Sequence, residues 1–255
     1  MTVRLSVVVP AFHEERRIAA TVTSLREALA PLEGATEIIV VDDGSADATA
    51  ACARAAGADR VIRLPVNRGK GAAVRAGVLA SVGRAVAFTD ADLSYSPDQL
   101  LRLLDRLEGG ADVVVGSRRV EGASVVAGPG AGSRRAASLR EISSRAFNVV
   151  TRLILRGVLE NTYSDTQCGL KAFSGEAGRF LLGLGRIDRF AFDVELLCLA
   201  ERNGFDVREV PVELTGAEGS TVRVGTDALR MVADLFRLRR WVRAGAYDTG
   251  RLPAR

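Results

Sequence analysis

The segment AVAFTDADL, Ala85 to Leu93, joins an apolar run to two carboxylates that are one residue apart. Residues 85–89 have the composition of a strand buried on both faces, and Asp90 and Asp92 follow where that strand would end. In extended backbone the two side chains project to the same side, so both could bind one hard cation such as Mg²⁺ or Mn²⁺. The acids could instead serve as turn or capping residues, and the spacing alone favours that structural role.

Similar apolar runs recur through the first half of the chain and alternate with helical patterns. The predicted strands are 5–9, 37–41, 61–64, 85–89 and 112–115, and the predicted helices are 14–29, a short one from about 47, 71–81 and 97–107. This order is typical of an α/β fold with a mainly parallel sheet and helices on both faces. Ligands bind such sheets at the carboxyl ends of the strands, where Asp42 and Asp43 also fall.

The second half of the chain is less regular. We expect helices over 140–155, 192–203 and 227–242, and a strand over 207–214 whose Pro211 indicates a sheet edge. Residues 121–138 are rich in Gly, Ala and Ser and predict either a mobile loop that covers a site or a disordered surface insertion. Since no repeat or linker is evident, we expect one domain over 1–243 and a C-terminal tail over 244–255.

Composition limits the class of protein. With 255 residues, 47% of them hydrophobic, the chain can bury one sizeable core. No apolar run reaches the roughly 20 residues of a transmembrane helix, which predicts a cytoplasmic protein. The three cysteines are too widely separated to indicate a disulfide framework or zinc site. A net charge of +4 suits an anionic partner, but aromatics at 5% argue against nucleic acid.

Three further segments place polar groups at the same predicted sheet edge. NRGKGAAVRAG, 67–77, sets Lys70 between two glycines at a helix start, where free backbone N–H groups favour an anion. VVDDGSADAT, 40–49, ends a strand in two acids that could bind a ribose or a base. VVVGSRR, 113–119, ends another strand in Arg118, which could bind phosphate oxygens. Together the segments indicate a nucleotide-diphosphate site.

In this order the segments resemble the inverting glycosyltransferases of the GT-A fold, and among them the polyprenyl-phosphate (dolichyl-phosphate) glucosyl- and mannosyltransferases. The matching segments are SVVVPAFHEERRI, IIVVDDGSADAT, NRGKGAAVRAG, FTDADLS, VVVGSRR, DTQCGLKAF and FAFDVELL. The resemblance runs from about Leu5 to Leu238. It implies a GT-A-type sheet with a nucleotide-sugar-binding half, 1–119, and an acceptor-binding half, 120–243, in one domain.

The resemblance also implies roles for single residues. Residues expected to contact the nucleotide sugar are Pro10, Phe12, Glu14, Asp42, Asp43, Lys70, Asp90, Ala91, Asp92, Arg118, Arg140 and Arg223. Asp90 and Asp92 would hold a divalent cation, Mg²⁺ or Mn²⁺, and Asp92 is the firmer ligand. The expected acceptor residues are Asp165, Gln167 and Lys171, and the expected catalytic residues are Asp92, Arg118 and Asp165. Ser94 departs from the glutamine of mannosyltransferase relatives, and Thr221 from a common lysine.

The implied reaction moves a hexose from a nucleotide sugar, with UDP-glucose favoured over GDP-mannose, to polyprenyl or dolichyl phosphate. A lipid phosphate is already an anion, whereas a soluble hydroxyl acceptor would need a general base. The candidate bases are Asp165, Asp193 and Glu195, although the last two fit helix caps better. A non-catalytic nucleotide-sugar-binding protein is less favoured, because both acids of the Asp-x-Asp pair are present. His13 and Cys168 are interpreted as neighbours of the site without a catalytic role.

Residues 227–243 predict an amphipathic helix capped by Thr226. Leu229, Val232, Leu235, Phe236 and Val242 would share one side, with Arg230, Arg237, Arg240 and Arg243 on or beside the other. An ordinary terminal helix packed on the sheet is one interpretation. The other is peripheral contact with the cytoplasmic face of a membrane, since the implied acceptor is dissolved in the bilayer.

Overall fold

A computed structural model describes residues 2–126, 147–161, 163–215 and 226–248, and its centre is a seven-stranded mixed sheet. In the described residues the strands are β1 Val3–Ala11, β2 Ala35–Asp42, β3 Arg60–Arg63, β4 Ala85–Phe88, β5 Val113–Ser117, β6 Ser124–Val126, β7 Lys171–Ser174, β8 Val207–Pro211 and β9 Glu213–Thr215. The helices are α1 Ile18–Leu29, α2 Thr49–Ala55, α3 Lys70–Ala80, α4 Gln99–Glu108, α5 over 147–154, α6 Gly175–Leu184, α7 Phe192–Arg202 and α8 Thr226–Arg243.

The strand order in the large sheet is β3-β2-β1-β4-β7-β5-β8. All neighbours pair in parallel except β7, which runs antiparallel to both β4 and β5. Register places Ala11 opposite Asp42, and Val8 opposite Phe88. The carboxyl ends of β1, β2 and β4 therefore meet at one edge, which confirms the predicted mainly parallel α/β architecture.

Alternate residues of the strands face two separate hydrophobic clusters. Val8, Val86 and Phe88 belong to the cluster covered by α3, α6, α7 and α8. Val7 and Val9 belong to the cluster covered by α1 and α4. Both faces are thus buried, which explains why the strands are apolar throughout.

Several predicted elements need correction. α1 begins at Ile18 rather than at residue 14, because the carbonyl of Glu14 first accepts the amides of Arg17 and Ile18 in a turn. The strand predicted over 207–214 is interrupted at Val212, and its second part, β9, pairs with β6. Residues 124–126 form that strand β6 although the sequence predicts a loop over 121–138, of which 127–138 lie outside the described residues.

The last described helix, α8, also differs from its predicted pattern. Leu235 and Val242 pack into the core, but Leu229 and Phe236 lie on the outer surface and are 76% and 55% exposed. The outer surface therefore carries apolar side chains as well as arginines, rather than arginines alone. Within the ranges described above, no helix combines the length and hydropathy needed to cross a bilayer.

Candidate active site

The carboxyl end of β4 leads directly into the Asp-x-Asp pair. Asp90 forms an ion pair with Lys70, with 2.5 Å between Nζ and Oδ1. Its other side packs against Gly169, where an added Cβ would lie 2.0 Å from Asp90 Oδ2. Burial alone would lower the pKa of Lys70, but attraction to Asp90 and Asp193 outweighs it and raises the pKa. Lys70 therefore stays charged and neutralises Asp90.

Asp92 is arranged differently from Asp90. Its Oδ1 accepts the amide of Ser94 at 3.0 Å, and Leu93 between them adopts a φ of 52°. Thr215 of β9, a strand of the separate two-stranded sheet, donates to the carbonyls of Leu93 and Ser94 and so fixes the turn. Within the described residues Asp92 Oδ2 has no hydrogen bond. That oxygen remains available as a ligand.

The Asp-x-Asp pair implies a divalent cation at these two carboxylates. Mg²⁺ and Mn²⁺ prefer carboxylate and phosphate oxygens. In the described part of the chain, no three His, Cys, Asp or Glu side chains converge as a complete metal site. Asp92 offers a free oxygen, whereas Asp90 Oδ1 is bonded to Lys70. The residues fit a cation that is held by Asp92 and completed by the oxygens of a bound phosphate.

The loop before α3 is held by Asp43 at the end of β2. Asp43 accepts the amides of Arg68 at 2.9 Å and Gly69 at 2.7 Å, and the side-chain amide of Asn67 at 3.0 Å. Burial raises the pKa of Asp43, although the two amides favour its ionised form. The amide of Ala72 is bonded to the carbonyl of Asp188. The helix start is therefore less open to an anion than the sequence predicts, and Lys70 adds an ammonium to it.

The carboxyl end of β1 forms an elbow beside this loop. Phe12 is 38% exposed, and its ring centroid lies 4.0 Å from that of His13. His13 donates its amide to Ser45 and accepts the amide of Ala46 at Nε2, with a φ of 56°. The imidazole of His13, which the sequence predicts as a neighbour of the site without a catalytic role, is thus part of the elbow.

Two other predicted contacts of the elbow lie deeper. Asp42 is buried, accepts the amide of Ser45 and lies 3.3 Å from Arg63. Glu14 is mostly buried, and burial raises its pKa, with a smaller contribution from the negative charge of Asp92. Pro10 is half-buried at the end of β1, and the carbonyl of Ala91 accepts the hydroxyl of Thr21.

Arg118 and Asp165 form a two-point ion pair after β5. Arg118 Nε donates to Asp165 Oδ2 at 2.6 Å and Nη2 donates to Oδ1 at 2.9 Å. Burial favours the neutral forms of both groups, but their mutual bonds outweigh it, so the pKa of Arg118 is raised and that of Asp165 is lowered. Asp165 is buried, and Glu209 accepts its amide. Asp165 therefore fixes the guanidinium rather than facing solvent.

Lys171 lies beneath the site. Its side chain has no exposed surface, and Nζ donates to Asp193 at 2.5 Å and to the carbonyl of Cys168 at 2.7 Å. Burial raises the pKa of Asp193, although Lys171 favours its ionised form. The ring of Phe88 lies 5.9 Å from the nitrogen of Lys70 and 5.6 Å from that of Lys171. Lys171, predicted as an acceptor residue, contacts the protein interior instead.

The remaining predicted residues are divided between the site and the undescribed segments. Gln167 is half-buried, and its backbone N–H donates to the carboxylate of Asp165. Arg140 and Arg223 lie outside the described residues, as does Thr221. Sequence reasoning missed Gly169 and Asp188, which contact Asp90 and the start of α3. Only the glycine in DTQCGLKAF could have indicated the first, and no local pattern indicates the second.

The chain is similar in sequence to known glycosyltransferases. The family model described as "Glycosyl transferase family 2" matches residues 6–153. A "Dolichyl-phosphate beta-glucosyltransferase" of Drosophila melanogaster is 36% identical over 264 residues, covering 95% of this chain and 76% of the relative.

The fold is also similar to solved structures of a glucosyl-transferring enzyme. Glucosyl-3-phosphoglycerate synthase of Mycobacterium tuberculosis, in complex with Mg²⁺ and uridine diphosphate, superposes with a TM-score of 0.65 at 26% identity, over 93% of this chain and 79% of that one. The same enzyme with Mn²⁺, UDP-glucose and phosphoglyceric acid gives a TM-score of 0.62 at 26% identity, over 95% and 80%.

Proposed function

The chain belongs to glycosyl transferase family 2, and we propose that it transfers a hexose from a nucleotide sugar to the phosphate of a polyprenyl or dolichyl lipid. One observation carries the proposal. The three carboxylates that the sequence offers as candidate bases for a hydroxyl acceptor are buried and bonded within the protein: Asp165, Asp193 and Glu195. A phosphate acceptor arrives as an anion and needs no general base.

UDP-glucose is the favoured donor in this proposal, and GDP-mannose is the alternative. Support comes from the relative of Drosophila melanogaster, which is named a glucosyltransferase, and from the mycobacterial synthase, whose structure contains UDP-glucose. The exposed ring of Phe12 would pack against the base at the carboxyl end of β1. Inversion of the α-linked sugar of UDP-glucose would give a β-linked product.

In-line transfer leaves negative charge on the departing diphosphate, and the cationic groups of the site would stabilise it. A bound Mg²⁺ or Mn²⁺ at Asp92 would neutralise part of that charge. Lys70 brings an ammonium to the same strand end. Asp165 holds Arg118 through Nε and Nη2, which leaves Nη1 without a partner among the described residues and able to donate to a phosphate oxygen.

Delivery of a lipid acceptor is proposed to use the outer face of α8, defined by Leu229, Ala233, Phe236 and the exposed arginines Arg230, Arg237, Arg240 and Arg243. Arg240 and Arg243 have no acidic partner in the described ranges, so their charge is available to an anionic surface. Exposed apolar and basic side chains on one helix face suit peripheral contact with an anionic bilayer. In this proposal the enzyme acts at the cytoplasmic face of a membrane.

A transfer assay with two matched acceptors tests the proposal. Purified protein is incubated with labelled UDP-glucose and Mn²⁺ in the presence of either polyprenyl phosphate or the corresponding polyprenol, which lacks only the phosphate. We expect a β-linked glucosyl product with the phosphate and none with the alcohol. GDP-mannose in place of UDP-glucose tests the donor.

Two further arms separate the alternatives. Transfer to polyprenol or to phosphoglyceric acid, but not to polyprenyl phosphate, would show a hydroxyl acceptor and contradict the proposed mechanism. Binding of UDP-glucose without turnover on any acceptor would favour a non-catalytic nucleotide-sugar-binding protein. The first of these outcomes would require one of the buried carboxylates to become accessible as a base.

A further inference from the structure

The turn between α6 and α7, residues 185–189, packs directly against the start of α3. The carbonyl of Asp188 accepts the amide of Ala72 at 3.0 Å, and the carbonyl of Ile187 accepts Arg75 Nη2 at 2.9 Å. An added Cβ at Gly69 would lie 2.6 Å from the Asp188 carbonyl, and one at Gly71 would lie 2.7 Å from that of Ile187. The two glycines around Lys70 are therefore required by this turn.

The carboxylate of Asp188 adds a charged connection to the same helix. Its Oδ1 accepts Arg75 Nη1 at 2.6 Å, and its Oδ2 accepts Arg68 Nη2 at 2.9 Å. Burial alone would raise the pKa of Asp188, but the hydrogen bonds from Arg75 and Arg68 outweigh it, so the pKa is lowered. One carboxylate thus joins residues on both sides of Lys70.

The 185–189 turn is itself bonded to Glu195 of α7 and to Ala246, and Tyr247 bonds Glu195 in turn. Glu195 accepts the amides of Arg186 and Ile187 at 2.9 Å each, and the hydroxyl of Tyr247 at 2.5 Å. Arg186 also donates to the carbonyl of Ala246. The turn therefore has a fixed backbone, and Asp188 can transmit that position to α3.

We infer that Asp188 is a positioning residue for Lys70: it holds Arg68 and Arg75 so that the ammonium between them meets Asp90. The inference rests on the proposed function for its consequence, since Lys70 is there the ammonium that approaches the donor diphosphate. The ion pair between Lys70 and Asp90 joins residues 20 apart in sequence, and it is the contact that Asp188 would maintain by positioning Lys70. Loss of the Asp188 carboxylate would release the helix start and weaken donor binding.

The chain contains only two lysines, Lys70 and Lys171, which allows a ligand-free test. Protein labelled with ¹³C at lysine Cε gives one signal for each, and Lys70→Arg identifies the signal of Lys70. In Asp188→Ala we expect the Lys70 signal to move while that of Lys171, fully buried against Asp193, stays in place. Asp188→Glu should restore the Lys70 signal in part. If Asp188→Ala does not fold, Asp188→Asn gives the same comparison with volume preserved.

A UDP titration in Mn²⁺ on the same samples measures the consequence. We expect the dissociation constant to rise about tenfold in Asp188→Ala, as for the loss of a charge-assisted hydrogen bond. Glu108→Gln is the control, because it breaks a similar two-point pair with Arg4, 2.8 Å at each contact, that involves no residue of the site.

The two readouts separate the inference from the proposed function. A moved Lys70 signal in a protein that never binds UDP would support the inference and contradict the proposed function. An unchanged Lys70 signal with a lowered melting temperature would show a merely structural role for Asp188 and overturn the inference. Equal movement of both lysine signals would overturn it too, because the whole core would then have changed.

Discussion

Lys70 and Asp90 lie 2.5 Å apart from Nζ to Oδ1, and their pairing neutralises the first acid of the Asp-x-Asp pair within the protein. The second acid, Asp92, bonds only a backbone amide within the described residues. The two carboxylates, which only Ala91 separates in sequence, therefore have different roles. Asp90 holds an ammonium in place, and Asp92 presents a free oxygen.

Substitution of each acid should separate these roles. Asp92→Asn keeps an oxygen that can accept the Ser94 amide, so we expect an unchanged circular dichroism spectrum and melting temperature. Transfer should fall by about a hundredfold or more, because the anionic cation ligand is lost. Full activity of the wild-type protein in metal-free buffer would contradict this mechanism.

Asp90→Asn should, in contrast, lower the stability of the fold. Lys70 is only 18% exposed at its side chain, so the loss of its partner should lower the free energy of unfolding by about 1 to 3 kcal/mol. Denaturant titration of both variants measures the difference. Equal stability of Asp90→Asn and wild type would show that the ion pair is not formed in solution.

Gly169 offers a test that changes neither charge. An added Cβ would lie 2.0 Å from Asp90 Oδ2, which is impossible without displacing the carboxylate. We expect Gly169→Ala to reduce transfer by about tenfold or more, because the Lys70–Asp90 pair must rearrange. Gly183→Ala in α6 is the matched control, since the nearest atom to an added Cβ there is Leu79 Cδ2 of α3, 3.9 Å away. The control should be neutral or more stable by about 0.5 to 1 kcal/mol. Equal activity of the two variants would contradict the close contact at Gly169.

The fold could be predicted in large part from the sequence, because strands buried on both faces carry continuous apolar runs. β7 and α6 were not predicted, because neither has such an apolar run. β7 has only four residues and begins with Lys171, a charged side chain that burial would ordinarily exclude. Its partners, β4 and β5, come from distant parts of the chain. Only tertiary pairing makes this segment a strand.

The site was predictable as a set of strand ends but not as a set of contacts. Segment order indicates that Asp43, Lys70, Asp90 and Arg118 share one edge of the sheet. It does not show that Asp43 bonds the loop before α3, or that Asp165 is enclosed behind Arg118. Such partners are decided by side-chain packing across elements, which leaves no periodic trace in sequence.

The Arg118–Asp165 pair predicts a specific pH dependence of stability. The pKa of Asp165 is lowered in the folded protein from an ordinary value of 3.8. Its ionised form therefore stabilises the fold above that value, and the contribution is lost as the pH falls below it. The difference in unfolding free energy between wild type and Asp165→Asn should accordingly shrink from neutral pH to about pH 2.5. Urea titrations across this range measure it, and a constant difference would contradict the pairing.

Peripheral membrane contact predicts an effect of the outer face of α8 that is separate from stability. Leu229 and Phe236 are 76% and 55% exposed, so Leu229→Gln with Phe236→Gln should leave the melting temperature nearly unchanged. We expect the double variant to lose flotation with anionic vesicles at low ionic strength. Val82→Gln is the control, because Val82 is 62% exposed on the loop that precedes β4, at the opposite end of that strand from Asp90.

The arginines of the same face provide the electrostatic half of this test. Arg240→Gln with Arg243→Gln removes two charges that have no acidic partner in the described residues. Each arginine near an anionic surface contributes about 1 kcal/mol, so vesicle affinity should fall by roughly one order of magnitude or more. High salt should release the wild-type protein in the same way, and neutral vesicles should not bind it. Because none of the four substituted residues is among the expected site residues, UDP affinity should be unchanged in both double variants. If the wild-type protein never floats with anionic vesicles yet still glucosylates detergent-dispersed polyprenyl phosphate, α8 is not the means by which the lipid is reached.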